Sequence, residues 1–342
     1  MRKIITFIIV LCMGFSLCAC KKANLIDTSS VITNQTTSEA ESVPVALQSQ
    51  TESNTSSAES QIPSKPLQAA TPQMQTTGKE VVVSGDLNDE QYTEKVNELQ
   101  SILNSHNYNI SLSVYSVDGS KGLDYNTETG IFGACTVKAA YTLYVCKQME
   151  NGNGSLDTQI TYDQKHYEYG TGDMQYSPFG TVFSMETALY KSMSISDNVG
   201  YMMSVDYFGR DGYNAWIGEL GCESLKIKPT VWSLKTRANE LVKIWCEIYN
   251  YFGTDTEYSR FLYDSCTNTA GNYATAALSD VDYSHKQGHN STGDWLSLSD
   301  AGIVWKGDDS YIIAILTDAP GPNSYSAGEF ARIIDILHND LF

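Results

Sequence analysis

Positive charge is scarce in this chain. Its 342 residues carry 22 Lys and Arg against 40 Asp and Glu, a formal net charge of −18. Nucleic acid and an anionic membrane surface both demand a basic patch, and no run of Lys and Arg supplies one. Neither is expected as a partner. Paired C-x-x-C motifs are missing too, although the chain holds eight cysteines, so no zinc site and no cofactor is expected. Aromatic residues are absent between Lys21 and Lys79, where Ser, Thr, Gln and Ala prevail. A stretch of that kind buries too little apolar area to offset chain entropy. We therefore expect residues 20–85 to form a disordered tether.

What is present begins at the N-terminus. Arg2 and Lys3 precede an apolar run from Ile4 to Leu17, too short to span a bilayer comfortably, and the run ends in Leu17-Cys18-Ala19-Cys20. A basic start, a short apolar core and a small-residue cleavage site describe an export signal over residues 1–19. The closing tetrapeptide looks like a bacterial lipobox, with Cys20 as the lipidated residue. An ordinary signal peptide or an uncleaved anchor is the plainer alternative. The lipobox reading places the protein on the outer face of the cytoplasmic membrane, held by its lipid; one acyl chain alone binds only marginally. Cys135, Cys146, Cys222, Cys246 and Cys266 then remain. Five is odd, so at least one thiol lacks a partner within the chain.

Residues 86–342 are long enough for one large domain or two intimately packed subdomains. Tyr92, Val96, Leu99 and Leu103 follow helical spacing over residues 89–104. Residues 110–117 alternate polar and apolar, a half-buried strand, and Asp118-Gly119 turns the chain toward a second strand near Leu123 to Tyr125. Residues 136 to about 252 read as helices and loops. Ala301–Trp305 and Tyr311–Leu316 are adjacent strands, and a helix closes the chain over about 327–337. The order predicts an α/β fold of the α+β kind. An antiparallel sheet of about five strands is flanked by N- and C-terminal helices and carries an inserted all-helical subdomain.

Three short elements carry chemistry. Cys135-Thr136-Val137-Lys138 opens a helix, Ser196-Asp197-Asn198 falls in a loop of the helical block, and Lys286-Gln287-Gly288 lies on a late strand. Gly170-Thr171-Gly172-Asp173-Met174-Gln175 and Asp300-Ala301-Gly302-Ile303-Val304-Trp305 flank them. In this order the set resembles the S-x-x-K, S-D-N and K-T-G elements of the class A β-lactamase and penicillin-binding family, with Cys135 at the position of the nucleophilic serine. The similarity spans the whole folded region.

The resemblance implies acyl transfer through a covalent intermediate on Cys135. Residues three apart on a helix share a face, so Lys138 can reach the sulfur. A neighbouring ammonium and a helix N-terminus both favour the thiolate. Lys138 or Ser196 is expected as the acid–base partner, Asn198 as the holder of a substrate amide, and Lys286 as the anchor for a substrate carboxylate. The amide of Cys135, with one near Gly288 or His289, would complete an oxyanion hole. The implied substrate is a β-lactam or a D-alanyl-D-alanine amide of a peptidoglycan stem peptide. Three departures stand against this: Cys135 itself, Gln287 in place of threonine, and no glutamate followed four residues later by Asn between Asn198 and Thr236. They motivate the alternative of a non-catalytic or very slow binding lipoprotein, a sensor that keeps the cleft. The other four thiols read as core, and Tyr169 and Tyr176 as cleft walls. His166, His285 and His289 have no spacing that suits a metal.

Overall fold

The computed structural model describes residues 67–229, 235–270, 274, 277–291, 293, 295–320 and 324–342. The export signal, Cys20 and the first part of the expected tether lie outside the described residues.

The chain enters through β1 (Val81–Gly85) and, after two 3₁₀ turns, α1 (Thr93–Asn104). The hairpin β2 (Ile110–Ser116) and β3 (Lys121–Tyr125) follows, then the short β4 (Ile131–Phe132). The helical block comprises α2 (Lys138–Glu150), a two-stranded ribbon β5 (Gln159–Thr161) and β6 (Val182–Ser184), α3 (Met185–Ser194), α4 (Asn198–Phe208) and α5 (Asp211–Glu219). After β7 (Lys235–Thr236), which pairs with β4, come α6 (Ala238–Phe252) and α7 (Glu257–Thr267). The chain returns to the sheet through β8 (Asp282–Asn290), β9 (Ser297–Trp305) and β10 (Tyr311–Thr317) and closes with α8 (Ser324–Ile336).

The main sheet has six strands in the order β1-β3-β2-β10-β9-β8, with every neighbouring pair antiparallel. Strands from both ends of the chain thus share one sheet, with the helices inserted between them, as the element order predicts. The pleat divides two cores, because successive strand side chains point to opposite faces. On β10, Ile312, Ala314 and Leu316 join the core shared with the helical block. Tyr311, Ile313 and Ile315 join the core beneath the opposite face. Each fully buried Ile or Leu contributes about 1.5–3 kcal/mol. α6 presents Leu241, Ile244, Trp245, Ile248 and Phe252 at i, i+3, i+4, i+7 and i+11, all fully buried. α2 is buried along most of its length, from Lys138 to Met149. A helix packed on all sides holds its first turn rigidly.

The sheet has the antiparallel form expected, with six strands. One expectation needs correction: a strand of that sheet, β1, lies inside the segment assigned to the tether. Order begins earlier still. Ala69 N donates to Asn250 Oδ1 at 2.6 Å, and Thr77 N donates to Thr127 Oγ1 at 3.0 Å. β1 escaped notice because Val81, Val82 and Val83 run consecutively on a half-exposed edge, without the alternation that marks a two-faced strand.

Candidate active site

Chain geometry brings the nucleophile forward. β4 leads through Gly133 into a 3₁₀ turn, Ala134–Val137, that runs directly into α2. Ala134 takes φ 46° and Ser196 takes φ 59°. Left-handed backbone at a non-glycine residue costs on the order of 1–3 kcal/mol and persists only where surrounding contacts hold it. Both strained residues belong to the motif regions.

Lys138 is fully buried one turn beyond Cys135. Its Nζ donates to Ser196 O at 2.7 Å, to Asn198 Oδ1 at 2.8 Å and to Asp197 O at 3.3 Å. Three oxygen acceptors around one amine match the three donors of an ammonium. Lys138 and Ser196 both lie close enough to the Cys135 sulfur to favour its thiolate.

Asp197 caps α4. Its carboxylate accepts Gly200 N and Met174 N, each at 2.9 Å. The second bond ties the Gly170–Gln175 loop to the cap. Thr171 Oγ1 adds a 2.6 Å bond to Ser196 O, and Asn198 Nδ2 reaches Tyr169 O at 3.4 Å. Gly172 has φ +97°, and a Cβ there would fall 2.1 Å from the Asp197 carboxylate, so the close approach of loop to cap requires glycine.

From the sheet side, fully buried Lys286 donates to Ser196 Oγ and, at 3.1 Å, to Gln287 O. Two residues along β8, a Cβ on Gly288 would lie 2.1 Å from Gly133 O and 3.0 Å from Cys135 N. Glycine is therefore what lets the strand lie against the turn that carries the nucleophile. Cys135, Lys138, Ser196, Asn198, Lys286 and Gly288 thus converge.

The side chain of His289 does not join them. β8 pairs with β9 in unbroken register, with His289 opposite Leu298, a member of the core beneath the opposite face. The pleat therefore turns His285, Gln287 and His289 away from Lys286. Only the backbone of His289 remains beside the site. His285 Nδ1 instead lies 2.8 Å from Asp300 Oδ1, and both side chains are buried. His166 Nδ1 accepts Asp163 N at 2.9 Å, and its Nε2 stands 3.3 Å from Asp206. Tyr169 and Tyr176 are each 80% exposed, so they project from the loop surface instead of closing a wall.

Electrostatics separates one thiol from the rest. All five cysteines among the described residues are free and buried. Burial pushes the Cys222 and Cys246 thiols up to about 12 and raises those of Cys146 and Cys266 as well. Burial acts on Cys135 too, but the charges of Lys138 and Lys286, with hydrogen bonds from Lys138 and Ser196, overcome it and hold the thiol below its ordinary value. The lysines respond in turn. Burial lowers Lys138, and it lowers Lys286 to about 8 with further help from the Lys138 charge.

Sequence reasoning overlooked Thr171, whose hydroxyl holds the Ser196 carbonyl, and Asp197 as the clamp between loop and helix. A Gly-Thr-Gly run preceding Ser-Asp-Asn was the available signal for both.

Residues 94–340 match the family model described as the beta-lactamase enzyme family, and the chain belongs to that family. Solved structures agree on the fold. PBP-A superposes with a TM-score of 0.64 at 18% identity, covering 72% of this chain and 95% of that one. A representative class A β-lactamase from Bacteroides cellulosilyticus DSM 14838 gives 0.61 at 19% identity, covering 74% and 98%. A PBP-A mutant solved as an acyl-enzyme complex with penicillin G matches with a TM-score of 0.64 at 18% identity, covering 72% and 95%. The comparison with curated protein sequences returns no match.

Proposed function

We propose that the chain is an acyl-transferring enzyme in which the Cys135 thiolate attacks a β-lactam or a D-alanyl-D-alanine-type amide. The observation that carries this is the Cys135 thiol, set beside two lysines and lowered, when the four other buried thiols among the described residues are raised. The thiolate adds to the carbonyl, and backbone amides at Cys135 and the adjoining strand receive the oxyanion. The Lys286 ammonium passes a proton through Ser196 Oγ to the departing nitrogen, along the hydrogen bond that already joins them. Lys138 keeps its charge and steadies the sulfur, and the Asn198 side chain binds the substrate amide. The penicillin acyl-enzyme of the PBP-A mutant makes a penicillin a reasonable first probe.

Intact-mass measurement after penicillin G treatment tests the proposal. Wild type gains one acyl adduct and Cys135→Ala gains none. Absence of any adduct with β-lactams and stem-peptide analogues alike overturns it. The competing reading is a non-catalytic binding lipoprotein, which the 8% exposure of Cys135 favours. Equal ligand affinity in wild type and Cys135→Ala, with no adduct in either, selects it.

We further propose that Cys20 is lipidated and holds the protein at the outer face of the cytoplasmic membrane. Cys20→Ala is expected to move the protein from the membrane fraction to the soluble one, and unchanged fractionation refutes the anchor.

A further inference from the structure

α4 starts at Asn198, in the site just described, and ends beside a different hollow. Asp206 lies eight residues further on, about 12 Å along the helix. There α4, β5 and the 3₁₀ turn Gln164–His166 enclose a cavity of about 320 Å³, and small-molecule sites start at about 300 Å³. Met203 and Tyr207 supply apolar lining, while Asp163, Lys165, His166 and Asp206 supply polar groups. A second cavity, of about 420 Å³, shares Lys165, His166 and Asp206, so the space continues along α4.

One polar group there lacks a partner. Asp163 N donates to His166 Nδ1 at 2.9 Å, so the neutral ring carries its proton on Nε2. That nitrogen is buried and makes no hydrogen bond among the described residues. Asp206 Oδ2 stands 3.3 Å away, but off the line of the N–H. Leaving a buried donor unpaired is costly, and His166 is only 5% exposed.

Charge decides what suits the place. Lys165 Nζ is already held by Asp206 at 2.9 Å, and Asp163 adds a second carboxylate, so an anion gains nothing. A cation lacks the acceptor that the imidazole N–H needs. A hydroxyl serves both sides, since it accepts from His166 Nε2 and donates to the Asp206 carboxylate beside it. The Asp206 side chain is half exposed, with room to shift outward as the hydroxyl enters. Tyr207, 48% exposed, and buried Met203 add apolar surface for the C–H face of a sugar ring.

We infer that this cavity binds a neutral pyranose saccharide, with one ring hydroxyl bridging His166 Nε2 and the Asp206 carboxylate while the ring stacks on Tyr207. The site requires no chemistry at Cys135 and stands or falls apart from it.

Saturation-transfer NMR tests this on the full chain, kept in a detergent without a sugar headgroup. The probes are chitotriose and maltotriose, pyranose chains with and without acetamido groups. Saturable transfer to the ring protons of either is expected, and the one that binds identifies the sugar. Tyr207→Ala weakens that binding by roughly three- to tenfold, the scale of one aromatic contact. Asp206→Asn weakens it by about tenfold or more, the scale of a hydrogen bond to a charged group. His166→Asn keeps an acceptor for Asp163 N, removes the Nε2 donor and costs about fivefold. Tyr207 is half exposed, so its variant tests the site without loss of the fold. No transfer to either sugar at tens of millimolar overturns the inference. Equal affinity in wild type and all three variants does so too, as does displacement of the sugar by inorganic phosphate, which marks an anion site.

Discussion

Lys286 on the sheet donates directly to the hydroxyl of Ser196 in the helical block, across 90 positions of sequence. Because Ser196 also favours the Cys135 thiolate, this one contact joins the two halves of the fold at the site of chemistry. A fully buried amine kept beside another is costly, and its neighbours explain why it is retained.

Replacing Lys286 separates stability from function. Lys286→Met removes one of two adjacent buried cations at similar volume, and with it the cost of burying that charge and its repulsion toward Lys138. A Tm rise of about 2–4 °C by calorimetry is expected. The rate of penicillin labelling falls on the order of 10²-fold, the scale of a lost proton donor. A variant that loses both stability and labelling contradicts this.

The pH dependence follows from the same shifts. Labelling rises with pH as the Cys135 thiolate forms, at a pH below that of an ordinary thiol. It falls above about 8, where Lys286 loses the proton it must supply. Stability moves oppositely on the alkaline side. Between about 8 and the unfolded value of 10.5 the unfolded chain binds more protons than the folded one, so stability increases with pH through that window. Lys286→Met flattens this increase, which urea titrations at several pH values will register.

Cys135→Ser distinguishes a thiolate site from one that serves any nucleophile. Serine ionises far less readily, so labelling slows on the order of 10²-fold. The bond formed also differs. Neutral hydroxylamine strips the wild-type thioester and leaves the ester of the variant intact, as intact mass will show. Equal labelling rates in the two proteins refute a preformed thiolate.

Gly288→Ala forces a methyl group against Gly133 O and Cys135 N. The strand and the turn must separate, at a cost of about 1–3 kcal/mol. Labelling is expected to disappear while far-ultraviolet circular dichroism keeps its native form. Wild-type labelling in this variant refutes the close approach as a requirement.

Much of this was legible before any coordinates. Asp118-Gly119 and the alternation of residues 110–117 marked the first hairpin, and the spacing of apolar residues marked α1. Helical and strand periods record which face of an element is buried, and that pattern is local. β1 was missed because an edge strand need not alternate, and composition pulled its valines into the preceding tether. Proximity in sequence to Lys286 says nothing of the pleat that turns the His289 side chain away and leaves only its backbone beside the site.

The chain order of Cys135, Ser196 and Lys286 and the absence of a water-activating glutamate with its Asn are properties of the sequence, since each depends only on residue identity and spacing. Tertiary structure alone decided that Lys286 bonds to Ser196 and that two lysines outweigh burial at a single sulfur. Those outcomes come from groups far apart in the chain meeting where water is excluded. There charges interact strongly, and no local pattern encodes which ones will meet.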